Sequence, residues 1–392
     1  MALFRRRRSA DETGSVAAVD EFWAHWDDVR GTLAASVDAG EPVPEETAAR
    51  VTERVQRIHP ELTWEVSAVS RSADSGPGDL GTMGDEDPEE LMARMSDMDD
   101  PLALLGSTAS YALTLSGGPD DSARILTERW LRSAPKDAEW QFHPAYPADH
   151  EQLTSSITWD DHTFDLSHAA LSLRVDQRQG TIDAGVYHPD NMFLPEETQT
   201  SLAEHVVMLA LGEDDYVRWI AGVEPLAERP LDPLPPTSLP AVVRQLSGGG
   251  NANSWPTLQM RVPLRGIVEF SLRHPLHRRD FPAFTLYVQV SLGYAHSDND
   301  KRPVEPSASA LDEFVTRVDG ILGDNGALLA QQTVGGHRQL HYYLDPESGV
   351  LPEVEAAVRE WSEGRSTVQS RLDPEWQSIN QLRTMFRRQL GS

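Results

Sequence analysis

Apolar positions along this chain recur in two rhythms, one of about 3.6 residues and one of 2, and the changes of rhythm mark out its elements. Phe22, Trp23 and Trp26 share one helical face. A second helix is predicted over residues 45–58. It stops at His59-Pro60, because proline cannot continue a helix and restrains the residue before it. Residues 62–69 alternate and predict a strand, as do residues 110–115. A helix over 121–133 and a strand from Trp140 follow. Further strands are expected at 163–166, 171–175 and 182–187, then helices at 195–211 and 214–220.

Two stretches break the rhythm. Residues 70–106 are dominated by Ser, Gly and acidic side chains and carry too little apolar surface to offset the entropy of ordering. They predict a disordered acidic insertion between the two strands of a hairpin. Residues 228–257 hold Pro230, Pro233, Pro235, Pro236 and Pro240, then Gly248-Gly249-Gly250. That composition predicts a linker, stiff at first and loose at its end, with a short helix at 241–246.

The second half is the more regular. A strand at 266–272 is expected first. Phe284, Leu286, Val288, Val290 and Leu292 then alternate with polar neighbours, the pattern of a half-buried strand. Ser309-x-x-Asp312 has the form of a capping box and predicts the start of a helix striped by Leu311, Phe314, Val315, Val318 and Leu322. Residues 327–334 and 337–344 flank Gly335-Gly336, a turn pair suited to positive φ, and predict a hairpin. A helix carrying Leu351, Val354, Val358 and Trp361 and a strand at 366–372 complete the order β-α-β-β-α-β. The fold class expected is therefore α+β in two domains, the C-terminal one a ferredoxin-like split βαβ sandwich. The domain plan is a disordered tail at 1–18, an acidic α+β domain at 19–227, the linker at 228–257 and the ferredoxin-like domain at 258–392.

Composition sharpens this plan. A chain of 392 residues exceeds what one core usually fills. Its net charge is −28, with 19 Lys and Arg against 45 Asp and Glu in residues 1–250, and 15 against 17 in residues 251–392. Almost all the acidity lies in the first part. Such a field repels nucleic-acid phosphates and anionic lipid and favours a basic protein partner. No apolar run approaches the ~18 residues of a membrane helix. The Arg5–Arg8 run lacks the apolar stretch of a signal peptide, so a cytoplasmic setting is expected. With no cysteine, the chain has no disulfide, thiolate nucleophile or cysteine-held metal.

No GxSxG, Walker or GxGxxG motif is present. His337 and His341 have the i, i+4 spacing of a helical zinc pair. They fall on a predicted strand, where four residues span roughly 13 Å, too far for one ion with bonds of ~2 Å. No catalytic residue, metal or cofactor is assigned.

The run from Gln332 to Asp345, Gln-Thr-Val-Gly-Gly-His-Arg-Gln-Leu-His-Tyr-Tyr-Leu-Asp, followed by Asp373-Pro-Glu-Trp376, resembles the bacterial "domain of unknown function 695" family. The matching positions are Thr333, Gly336, Arg338, Tyr342 or Tyr343, Asp373, Pro374 and Trp376. Where the family often has an aromatic three residues after the Trp, this chain has Ile379. The likeness covers roughly residues 280–380. It implies a ferredoxin-like module akin to the regulator of ribonuclease activity B, which inhibits ribonuclease E, and hence a protein-binding rather than a catalytic role. Arg338, His341, Tyr343, Asp373 and Trp376 are the candidate interaction surface. Aromatic and Arg side chains anchor interfaces, and the Arg338 fork suits Asp373 or Glu375. The competing reading is that these residues only pin the final strand. The leading functional expectation is a non-catalytic binding or regulatory module. The alternatives are an acidic immunity or inhibitor protein against a basic enzyme, and an unrecognised hydrolase or transferase with an inter-domain site.

Overall fold

A computed structural model describes residues 10–69, 109–159, 162–176, 180–247, 254–262 and 266–389. The acidic insertion expected at 70–106, the Arg5–Arg8 run and the Gly248–Gly250 stretch lie outside the described residues. The chain mixes helices and strands and divides into two compact units, Met1–Val243 and Arg244–Ser392. No helix among the described residues is long and apolar enough to cross a membrane.

In the first unit, α1 (Ala10–Ala24), α2 (Arg30–Ala39) and α3 (Glu45–Ile58) precede a hairpin of β1 (Thr63–Ala68) and β2 (Tyr111–Ser116). Helix α4 (Asp121–Arg132) then carries the chain to β3 (Trp140–His143), which runs parallel to β2. α1 begins inside the expected tail, because Ala18 and Val19 extend the Phe22 stripe by one turn and are buried. The stripe packs into an aromatic knot. Trp23 stacks on Trp130 with centroids 5.0 Å apart and donates its indole N–H to the Trp130 carbonyl at 2.9 Å. Phe142 and Trp140 meet Trp26 edge-on.

After a small hairpin, β4 (Ser156–Trp159) and β5 (His162–Asp165), the same topology recurs. β6 (Ala170–Asp176) and β7 (Thr181–Tyr187) form a hairpin. Helices α5 (Glu196–Leu211) and α6 (Glu213–Trp219) cross over to β8 (Ile220–Leu226), parallel to β7. The unit thus contains two ββαβ sheets built alike, a repeat of topology rather than of residues. Arg124 on α4 ties one to the other: its guanidinium pairs with Asp214 on α6 at 3.0 Å and with Glu128 at 3.1 Å, and it is buried. The proline-rich stretch is not free. Leu234 exchanges backbone hydrogen bonds with Leu171 in both directions, and Pro236 and Leu239 are buried, the latter opening α7 (Leu239–Leu246). Prolines cannot donate to a ladder, but one leucine among them suffices to dock the strand.

The second unit is one six-stranded antiparallel sheet. Its strands are β9 (Thr257–Val262), β10 (Gly266–Leu272), β11 (Leu286–Gly293), β12 (Gly326–Val334), β13 (His337–Leu344) and β14 (Ser366–Leu372), in spatial order β14-β11-β13-β12-β10-β9. Helices α8 (Ser307–Leu322) and α9 (Leu351–Arg359) cover one face through Leu311, Phe314, Val318, Val354 and Val358, which meet Val288, Val290, Leu340 and Tyr342. The other face is covered by α10 (Gln377–Gln389) and the 276–284 segment, through Ile379, Trp376 and Phe284 against Tyr287 and Tyr343. Phe284 leaves the alternation predicted for it: it joins this second core, while Leu286 and its successors join the first. The expected capping box at Ser309 is not formed. α8 starts at Ser307 behind Pro306, whose ring presets φ, and the Ser309 hydroxyl donates to Glu305 at 2.7 Å. Gly335 and Gly336 make the hairpin turn at φ 60 and 86.

Candidate functional site

Four of the five residues expected to form an interaction surface are interior, and Arg338 is half-buried. Tyr343, Trp376, His341 and Asp373 are all buried. The Tyr343 hydroxyl donates to Asp373 Oδ2 at 2.7 Å. Asp373 also accepts from Ser378 N at 2.9 Å and Gln377 N at 2.8 Å, the capping pattern of a helix start. Burial alone would raise the Asp373 pKa, but the hydrogen bonds from Ser378, Tyr343 and Gln377 outweigh it and hold the carboxyl below its ordinary value. Trp376, at φ 55, lies tilted against Tyr343 with centroids 4.9 Å apart and donates its indole N–H to the Phe284 carbonyl at 2.8 Å. Arg278 lies over the Trp376 ring, 5.0 Å from its centroid, and donates to the carbonyls of Pro374 and Pro282. His341 meets the Tyr287 hydroxyl at 2.7 Å. Arg338 does not join them. By the alternation of β13 it shares a face with Leu340 and Tyr342, and its guanidinium donates to Gln331 at 3.0 Å rather than to Asp373 or Glu375. The five residues therefore do not form one docking surface. Tyr343, Asp373 and Trp376 lock α10 onto the sheet, His341 is bonded to Tyr287, and Arg338 stands on the opposite face.

A site that sequence reasoning missed lies in the first unit. Alternation splits its first sheet into two faces. Trp64, Val66, Leu113, Leu115, Trp140 and Phe142 turn to the helical core. Glu65, Ser67, Ala112, Thr114, Gln141 and His143 turn the other way and line a cleft. Strand register sets them in rows: Glu65 pairs with Thr114 and Thr114 with His143, while Ser67 pairs with Ala112 and Ala112 with Gln141. Neighbours in such a row have Cβ atoms about 5 Å apart.

The opposite wall is α5, which presents Ser201, Glu204, His205 and Met208 at helical spacing, with Tyr216 from α6. The floor is the 146–150 loop, clamped to the end of α5. Tyr146 N donates to Glu213 Oε2 at 3.2 Å, Glu213 N to the Tyr146 carbonyl at 2.8 Å, and Asp149 N to the Leu209 carbonyl at 2.8 Å. Gly212, at φ 75, permits this approach, since a Cβ there would lie 2.9 Å from Ala148 N. The enclosed volume is about 780 Å³.

Its electrostatics are one-sided. Glu65, Asp149 and Glu204 line it with His143, His150 and His205, and no Lys or Arg is among the described lining residues. Burial holds His143 and His205 below the ordinary histidine pKa, so they stay neutral near pH 7. Burial also raises Tyr146, with Glu65 adding to it, and raises Tyr216, with Glu204 adding. The His143 ring makes no hydrogen bond among the described residues, and Thr114 beside it donates none to it. Among the described residues, no group of three or more His, Cys, Asp or Glu is arranged to hold a metal ion. What the cleft offers is carboxylates for a cation, aromatic faces beside them, and neutral imidazoles as hydrogen-bond partners.

No family model matches the chain, and no curated protein or solved structure matches it.

Proposed function

We propose that this chain is a non-catalytic binding protein whose first unit receives cationic side chains of a basic protein partner in the cleft between β1–β3 and α5. The observation that carries this reading is the lining of Glu65, Asp149 and Glu204, with no cation among the described lining residues to neutralise them. The surplus of 26 negative charges in residues 1–250 would steer such a partner toward it. Tyr146 and Tyr216 add faces on which a guanidinium stacks. An inhibitor of a basic enzyme would act through the same chemistry. In this reading the second unit is a ferredoxin-like split βαβ sandwich, supported by β11-α8-β12-β13-α9-β14 with strand order β14-β11-β13-β12. The hydrolase alternative draws on the Glu65–Thr114–His143 row alone, and the missing hydroxyl–imidazole bond disfavours it.

The test is fluorescence anisotropy with a labelled Arg-Ser repeat peptide and its Gln-Ser counterpart. Each charge-assisted hydrogen bond is worth ~1.5–3 kcal/mol. Glu65→Gln with Glu204→Gln should therefore weaken the Arg peptide by about tenfold or more at unchanged melting temperature. Equal binding of both peptides, or an indifferent double variant, refutes the reading.

A further inference from the structure

A second concavity lies within the second unit, lined chiefly by α8 and β12, and encloses about 560 Å³. That is the size of a small-ligand site. α8 supplies Asp312, Val315 and Asp319, spaced as one helical stripe. β12 supplies Leu328 and Gln331. Trp255 and Arg273, one residue past the end of β10, close the rim.

Arg273 is the unusual member. Its guanidinium lies 4.8 Å from the Phe281 ring centroid and makes no hydrogen bond or ion pair among the described residues. Burial pulls its pKa down, against the opposing pull of Asp280 and Asp319. A half-buried guanidinium has five donors in a planar fork, and leaving them unmatched away from water is costly. Gln331 accepts from Arg338 through Oε1, which leaves its NH₂ as a further donor into the same region. Asp319 supplies the opposite sign. Burial raises its pKa, Arg273 lowers it, and its carboxylate makes no hydrogen bond among the described residues. The cavity lining also holds apolar side chains, Trp255, Val315 and Leu328.

The signs decide the ligand class. A plain carboxylate would satisfy Arg273 but meet Asp319 and Asp312. A plain amine would satisfy the acids and leave Arg273 unmatched. We propose that this cavity binds an α-amino acid with a large apolar side chain, its carboxylate on Arg273, its ammonium on Asp319, and its side chain against Trp255, Val315 and Leu328. The site is independent of the first-unit cleft: none of its lining residues belongs to that unit.

Isothermal titration of the full chain at neutral pH with L-phenylalanine, 3-phenylpropionate and phenethylamine tests this. L-phenylalanine should bind saturably and raise the melting temperature. Each analogue, lacking one charge, should bind at least about tenfold more weakly. Arg273→Gln and Asp319→Asn should each weaken L-phenylalanine by a similar factor. Because Arg273 also packs on Phe281, its variant is judged beside Asp319→Asn, and the melting temperature of both is recorded without ligand. No heat and no thermal shift with L-phenylalanine at about 10 mM would overturn the proposal. So would phenylpropionate binding as tightly as the amino acid, or an Asp319→Asn protein that binds L-phenylalanine as the parent does.

Discussion

The Tyr343 hydroxyl donates to Asp373 Oδ2 across 2.7 Å, and this bond joins the middle of the sheet to the turn that launches α10. Both partners are buried, and Asp373 accepts from Ser378 and Gln377 as well. Removing Tyr343's hydroxyl takes away one of several donors to the carboxylate. Removing the carboxylate leaves several buried donors unmatched. Tyr343→Phe should therefore cost about 1–2 kcal/mol and Asp373→Ala more, about 3 kcal/mol. Urea denaturation checks this ordering. A larger loss in Tyr343→Phe than in Asp373→Ala would contradict it.

His341 gives the second unit a pH dependence. It is buried against Tyr287, and burial lowers its pKa to about 4, below the ~6.5 of an unfolded chain. Unfolding therefore takes up a proton between these values. Its contribution is whole above about pH 6.5 and is lost as pH falls toward 4, by at most about 1.4 kcal/mol per pH unit. Replacing it, as in His341→Gln, should flatten stability across that window. Chemical melts at several pH values read the slope, and identical slopes in parent and variant would exclude His341 as the cause.

Trp130 is fully buried at the centre of the aromatic knot. Truncation to Ala should cost about 3–5 kcal/mol and release α1, seen as lost helicity and a red-shifted emission. Trp130→Phe should cost markedly less, because the buried indole N–H has no partner among the described residues and goes with it. Equal losses in the two variants would show that the N–H, not the ring, is what the site needs.

The cleft histidines set how cation binding responds to acid. His143 and His205 are neutral near pH 7 and become charged only below the ordinary histidine range. Affinity for the Arg-Ser peptide should be level above pH ~6.5 and fall below it, as positive charge accumulates beside Glu65 and Glu204. The double variant His143→Gln, His205→Gln should lose affinity less steeply over the same range. Anisotropy titrations across pH decide this, and an unchanged acid limb in the double variant would remove the histidines from the account.

The sequence by itself determined most of the local elements. Rhythm and punctuation place α3, the β12–β13 hairpin at Gly335-Gly336, and the β-α-β-β-α-β order of the second unit, since each depends on residues a few positions apart. β8 and β9 escaped it. Ile220–Leu226 carries Gly222 and Pro225 and takes its strand form from parallel pairing with β7, while Thr257–Val262 is an edge strand shaped by β10. The tertiary structure alone decided the sites. Alternation tells that Tyr343 and Arg338 lie on opposite faces of β13, but not that α10 returns to bury the first. It tells that Glu65, Thr114 and His143 turn away from the core. It cannot tell that register sets them in one row, or that a helix 60 residues beyond His143 closes over them. Local periodicity reports which way a side chain points. What it meets there depends on packing between segments far apart in the chain, and that is settled only when the whole core forms.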